Sequence, residues 1–326
     1  MIGLDHLWML ALALAIDAVF GDPDLIWRKF PHPVVLLGRQ IDWLDRHLNH
    51  SRRKPWIRRI AGAISLFLVV LVAAVVGFGI EYGLSHIPYG WVGTVLVASI
   101  LLAGRSLYDH VAAVARAFET SGLDGARKTV ARIVGRDPLG LDEAGVCRAT
   151  IESMAENFSD GVVAPAFWFL LLGLPGLAAY KAINTADSMI GHRTPRHEDF
   201  GWAAARADDL VNLAPSRLAG ALMAVASPVV GSSIGHAFAV MRSDAPKHRS
   251  PNAGWPEAAT AAALGLALAG PRRYRGVLGD DPYINTNGRR QATPADIRRG
   301  LRQYLAASAI LLVIVAAAGG LVVALA

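Results

Sequence analysis

The segment Ile60–Ile80 runs for 21 residues without a charged side chain, and Gln303–Ala326 does so for 24. An α-helix rises about 1.5 Å per residue, so some 20 apolar residues cover the roughly 30 Å hydrocarbon core of a bilayer. A helix also bonds its own backbone N–H and C=O groups, which hydrocarbon demands. Trp91–Ala103 is a third, shorter uncharged run. Only 18% of residues are charged and mean hydropathy is +0.37, against about 25% charged residues in soluble domains. The expected fold is an all-α, polytopic integral membrane helical bundle with re-entrant hairpins and cytoplasmic amphipathic helices.

Leu7–Phe20 is expected to be a retained helix rather than a signal peptide, because it lacks a basic leader, holds Asp17 and runs into Gly-Asp-Pro-Asp. Cys147 is the one cysteine, which excludes an intrachain disulfide and a Cys-based metal cluster. The net charge of +6 does not require nucleic acid, since basic residues bordering apolar spans follow from topology and anionic headgroups.

Basic residues set an orientation. Nine Lys and Arg lie in Arg28–Arg59 and none in Glu81–Gly90, so the first loop is expected in the cytoplasm and the second outside. Residues 105–160 are basic again and should return inside. Val162–Tyr180 then poses a difficulty, because Lys181–Asn212 after it is also basic and polar. Pro165 and Gly-Leu-Pro-Gly at Gly173–Gly176 interrupt that segment, which predicts a hairpin that re-enters rather than crosses. Arg217–Val240 is similar, broken at Ser227–Ser233. Two true crossings joined by an exterior polar loop are the alternative. The expected layout is one integral membrane domain over 1–326, with spans near 4–20, 60–80, 90–104 and 303–325. Broken hairpins fall near 162–180 and 213–241.

Between the spans, residues 115–136 read as an amphipathic helix with a turn at Gly122, and Ala258–Ala269 as a short helix inside the bundle. Asp280–Gly288 reads as a loop. Thr293, Pro294 and Asp296 mark the start of the last helix.

Several clusters point to chemistry. Residues four apart share a helix face, which puts Glu152, Glu156 and Asp160 on one stripe beside Asn157. Carboxylates in register repel unless a cation lies opposite, and Mg²⁺ is typically held by one or two carboxylates plus substrate phosphates. A solvated acidic face is the bland alternative. A second group comprises Lys181, Asn184, Thr185, Asp187 and Ser188, with Arg193 beyond it. A third comprises Arg206, Asp208, Asp209, Asn212 and Arg217, where paired carboxylates and guanidinium forks suit a metal–phosphate site; helix capping is the alternative for Asp208. His32, between two prolines, sits in a rigid extended turn. Lys247–Ala259 is a turn able to present backbone N–H groups to an anion. Gly122–Thr129 fails as a phosphate loop, since Arg127 stands where a glycine is required. No G-x-S-x-G, H-E-x-x-H or G-x-G-x-x-G is present.

Seven blocks together resemble the cobalamin-biosynthesis CobD/CbiB proteins, the adenosylcobinamide-phosphate synthases. They are Gly21–Arg39, Leu102–Val111, Ile133–Asp142, Ile151–Trp168, Tyr180–Arg193, Arg206–Leu218 and Ser250–Ala259. The run Ala269–Gly276 departs from the family's Gly-Gly-Pro-x-Tyr pattern. The resemblance implies a multipass ligase in the inner cell membrane with its active site facing the cytoplasm. It would join a carboxylate of adenosylcobyric acid to (R)-1-aminopropan-2-ol O-phosphate, using ATP and Mg²⁺. The implied partners are the corrinoid, the aminopropanol phosphate, the lipid bilayer and other enzymes of the pathway, with no nucleic acid.

That chemistry suggests roles. Glu152, Glu156, Asp160, Lys181 and Asp187 would be catalytic. Glu156, Asp160, Asp208 and Asp209 would hold metal. His32, Arg105, Asn157, Asn184, Thr185, Arg193, Arg206 and Arg217 would bind substrate or phosphate. The clusters are expected to meet in one pocket at the inner leaflet. A Mg²⁺-dependent transferase acting on a lipid diphosphate, or a corrinoid transporter or scaffold, are the rival readings.

Overall fold

The computed structural model describes residues 4–21, 27, 29–134, 139–192, 194–274, 277–279 and 281–325. The helices are α1 (Leu4–Phe20), α2 (Pro33–Leu48), α3 (Pro55–Ser85), α4 (Gly90–Leu101), α5 (Gly104–Val130) and α6 (Glu143–Phe158). They continue with α7 (Ala164–Ala186), α8 (Trp202–Val211), α9 (Leu213–Val225), α10 (Ile234–Asp244), α11 (Gly254–Leu264) and α12 (Pro294–Leu325). Sheet is confined to four strands of two or three residues among the described residues: β1 (Leu268–Ala269), β2 (Arg272–Tyr274), β3 (Val277–Gly279) and β4 (Tyr283–Ile284). β1 pairs with β4 and β2 with β3, both antiparallel. The all-α expectation holds, with two corrections: Asp280–Gly288, expected as loop, contains β4, and the helix expected over Ala258–Ala269 ends at Leu264, with β1 at Leu268–Ala269.

Four stretches are long and apolar enough to cross a membrane by length and composition: Pro55–Ser85, Gly90–Val130, Glu143–Gly191 and Pro294–Val322. The protein is an all-α polytopic membrane protein. α1, with 17 residues, sits at the short end of the spanning range. The span expected near 90–104 is α4, only 12 residues long. Extended backbone at Leu102 (φ −80°, ψ 157°) ends it before α5 begins.

The chain forms two compact units, one of Met1–Ala103, Ala164–Asn212 and Val315–Ala326, the other of Gly104–Val163 and Leu213–Ile314. In the first unit, Ile41 and Leu44 of α2, Val69 and Ala73 of α3, and Ala182 and Ala186 of α7 share a buried core with Ile190, Phe200 and Ala204. Small residues bring backbones close there: a methyl on Gly62 would lie 1.8 Å from the Phe200 carbonyl, and one on Gly77 2.7 Å from that of Leu174.

α7 is broken where the sequence predicts. Gly173 adopts φ 66° and ψ −154°, a region that side chains other than glycine's hydrogen avoid. The chain folds back on itself at that residue. A Cβ at Gly176 would lie 2.6 Å from the Trp168 carbonyl, whereas eight residues of straight helix span about 12 Å. Trp168 and Tyr180, on opposite sides of the break, bond the adjacent residues Val211 and Asn212. Glu81 of α3 secures the turn. Its Oε2 accepts the Leu174 N–H at 3.0 Å, and its Oε1 lies 3.0 Å from His6 Nε2. A carboxylate there complements the positive start of the returning half-helix.

In the second unit α11 is buried along nearly its whole length, as expected for the Ala-rich stretch, and packs against α6, α9 and α10. α9 and α10 are separated by a 3-10 turn at Ser227–Val230, at the predicted interruption. α5 breaks at Gly122 (φ 62°), the predicted turn. The start of α12 is fixed by Asp296, whose carboxylate accepts the Thr293 N–H at 2.9 Å and its hydroxyl at 2.8 Å.

Candidate active site

The returning half of α7 carries Tyr180, Lys181, Asn184 and Thr185, and then opens into a π-turn at Asp187–Gly191. Such wide turns displace side chains from helical register and recur at functional sites. α8 lies beside them and ends at Asn212.

A continuous polar chain links the two helices. The buried Tyr180 hydroxyl donates to Asn212 Oδ1 at 3.0 Å. Asn212 Nδ2 donates to Asp208 Oδ2 at 3.0 Å, and Asn184 Nδ2 donates to Asp208 Oδ1 at 3.4 Å. Burial, and then the neighbouring Asp187 carboxylate, push the Asp208 carboxyl up to about 7, while the two asparagine amides pull the other way and Asp209 adds to the rise. Asp208 is therefore a partly buried acid that titrates near neutrality. It can act as a general base at pH 7, and a divalent cation near it would favour its ionised form.

The other predicted residues of this unit have definite places. Lys181 is buried, and Thr185 donates its hydroxyl to the Lys181 carbonyl at 2.6 Å. Arg206 is exposed and pairs loosely with Asp209 at 3.5 Å. His32 serves as the N-cap of α2, its Nδ1 accepting the Val34 N–H at 3.2 Å. Arg193 lies outside the described residues.

In the second unit the acidic stripe straddles a change of helix type. α6 ends at Phe158 and a π-turn follows at Ser159–Val163, so Glu152 and Glu156 lie in α6 and Asp160 in the π-turn. Glu152 faces inward, 6% exposed, with Oε1 accepting the Ala269 N–H at 2.8 Å. Glu156 and Asn157 face outward, and Asn157 donates to the Ser153 carbonyl at 2.8 Å. Arg217 stacks over Trp255 at 4.6 Å and donates to the Leu213 carbonyl at 2.7 Å. Arg105 forms a surface ion pair with Asp109 at 2.9 Å. The Lys247–Ala259 turn uses its amides internally, since Asn252 N and Ala253 N both donate to Ser250 Oγ.

The expected metal ligands divide between the two units, Glu156 and Asp160 in one and Asp208 and Asp209 in the other. No group of three or more His, Cys, Asp or Glu able to hold a metal occurs among the described residues. Asp209 pairs with Arg206 at 3.5 Å.

Two features carry no mark in the sequence. One is the role of Tyr180 as the far end of the Asp208 chain. The other is a latch around Asp45 of α2. Asp45 Oδ2 takes Arg196 Nη2 at 2.7 Å and lies 3.4 Å from His197 Nε2, and its Oδ1 takes Asn49 Nδ2 at 2.7 Å. Asn49 and Arg58 both donate to the Arg196 carbonyl. This fixes the segment that follows the Asp187 π-turn. Burial alone would raise the Asp45 carboxyl, but the bonds from Asn49, Arg196 and His197 outweigh it and hold it below the usual range.

Known proteins resemble the chain along most of its length. The family model described as CobD/Cbib protein matches residues 10–304. The chain belongs to the CobD/Cbib family. Among its CobD/Cbib relatives, a protein of Brucella anthropi named cobalamin biosynthesis protein CobD is 48% identical over 306 residues, covering 93% of this chain and 94% of that one. Proteins of the same name from a Sinorhizobium species and from Rhodobacter capsulatus are 47% and 48% identical, over 94% and 92% of this chain and 95% and 93% of theirs. No solved structure matches.

Proposed function

We propose that this CobD/Cbib protein acts in cobalamin biosynthesis as an ATP-dependent amide ligase. It would join adenosylcobyric acid to (R)-1-aminopropan-2-ol O-phosphate and give adenosylcobinamide phosphate, ADP and phosphate. Its place would be the inner cell membrane, with the site open to cytoplasmic ATP. The observation that carries this reading is Asp208, poised near neutrality beside Asp187 and held by Asn184 and Asn212.

Amide formation at neutral pH needs an activated carboxyl and an amine that has lost its proton. Asp208 suits the second need, since a base titrating near 7 is half ionised where the enzyme works. Asp187 and Asp208 are hard oxygen donors whose mutual repulsion raises Asp208, so the pair fits Mg²⁺, which would supply charge neutralisation across ATP phosphates. Lys181 and Arg206 are the cations of this unit assigned to phosphate oxygens. Asn184, which donates to Asp208 at 3.4 Å, would orient that carboxylate and a substrate amide. Glu152 is left out of the catalytic set, because its carboxylate holds the Ala269 backbone.

The test is conversion followed by mass. Protein reconstituted in liposomes with adenosylcobyric acid, aminopropanol phosphate, Mg²⁺ and ATP should yield the amide and one ADP per product. Binding of the corrinoid with no ADP release would favour a transporter or scaffold instead. Turnover of an isoprenyl diphosphate would favour the lipid transferase.

A further inference from the structure

The turn joining α2 to α3 places three cations in a row, Arg52, Arg53 and Lys54, all exposed. Two large aromatic side chains flank them in the open, Trp43 at 57% and Trp56 at 59% exposure. Arg46 is exposed one helical turn from Trp43. Indole rings seek the headgroup level of a bilayer, and clustered Lys and Arg beside a spanning helix attract anionic lipids.

The corner is rigid. Asn49, 5% exposed, donates to Asp45 and to the Arg196 carbonyl and accepts from Arg58 Nε at 2.9 Å. Arg53 N closes the turn on the His50 carbonyl at 3.0 Å. The position along the membrane normal follows from α3 itself. Between Arg59 and Glu81 its exposed residues are apolar, including Ile60, Ile64, Phe67 and Leu71, and no charge occurs in that stretch. The hydrocarbon boundary therefore falls within about one helical turn of Trp56, next to the three cations. The carboxylates around the corner are paired: Asp42 with Arg46 at 2.5 Å, Asp45 with Arg196 at 2.7 Å and Asp199 with Arg59 at 3.0 Å.

We infer that the α2–α3 corner is a binding surface for anionic phospholipid headgroups, with Arg52, Arg53 and Lys54 taking the phosphates and Trp43 and Trp56 seated among the glycerol and upper acyl groups. A topology signal alone would give these cations a side of the membrane but no lipid preference. The surface is independent of the ligase chemistry proposed above.

The experiment measures quenching of tryptophan by brominated lipid in nanodiscs of mixed phosphatidylglycerol and phosphatidylcholine. The bromine is carried on one lipid or the other at equal mole fraction. The part of the signal lost in the double variant W43F/W56F reports on the corner. At low salt that part should be quenched more strongly by brominated phosphatidylglycerol. The apparent enrichment should fall by about fivefold for each cation removed on going to R52Q/R53Q/K54Q. Should the triple variant fail to insert, the wild type alone decides, because raising salt from 50 to 500 mM shortens the screening length and should abolish the preference. Equal quenching by both lipids at low salt, or a preference indifferent to salt, would overturn the inference, as would a corner that neither lipid quenches because another protein covers it.

Discussion

Asp208 and Asp45 are both carboxylates close to buried asparagines, yet their surroundings move them in opposite directions. Around Asp45 a guanidinium, an imidazole and an amide all stabilise the anion, whereas Asp208 meets amides alone and faces another carboxylate. The consequences for stability have opposite signs. Asp208 ionises more readily in the unfolded chain, near 3.8, than in the folded one, near 7. The folded state therefore holds the extra proton in that window, and stability from this group falls as pH rises through it. The thermal midpoint of the wild type in detergent, minus that of Asp208→Asn, should decline between pH 4 and pH 7.5 and then level off; a flat difference would contradict the assignment. Asp45 contributes stability above its unfolded value that disappears as pH falls through its lower folded value. Asp45→Ala strands Arg196, His197 and Asn49, and should cost about 3 kcal/mol at neutral pH, read by chemical unfolding. The Asp208 neighbourhood was partly legible in the sequence, because Asn184, Asp187 and Asp208 lie within 25 residues in two polar clusters. The Asp45 latch was not. Its partners are some 150 residues away, and an Asp and an Asn on an amphipathic helix look like any solvated face.

Among elements, the returning hairpin of α7 was the clearest sequence signal, since Gly-Leu-Pro-Gly in an apolar run offers a break that no straight span needs. Gly173→Ala should cost about 1–3 kcal/mol, with its new methyl 2.5 Å from a Glu81 carboxylate oxygen. Gly79→Ala in α3 has open space around it and should be neutral or stabilising by up to about 1 kcal/mol. Comparable losses in both variants would show that the Gly173 geometry is not special. The two π-turns were invisible beforehand. Each inserts one extra residue per turn, and the four-residue arithmetic that aligned Glu152, Glu156 and Asp160 has no way to register it.

At the scale of the whole molecule, apolar runs and basic loops foretold a polytopic helical protein, and the order of seven sequence blocks foretold its family. What they could not supply was which polar residues hold the fold and which await a substrate. Glu152, Thr185, His32 and Arg217 all make definite structural contacts, so the chemistry proposed above centres on Asp208, Asp187 and their neighbours. Mg²⁺ should raise the unfolding midpoint of the wild type at pH 8, by about 2.7 kcal/mol at a hundredfold excess over its dissociation constant, and should leave Asp208→Asn unmoved. The most direct measurement is single-turnover formation of adenosylcobinamide phosphate by reconstituted wild type and Asp208→Asn across pH 5.5–8.5. The wild-type rate should rise with pH through a midpoint at or below 7, because bound Mg²⁺ favours the ionised Asp208, with the variant inserted in the membrane but reduced at least about a hundredfold. A variant that turns over at the wild-type rate with the same pH profile would contradict the account.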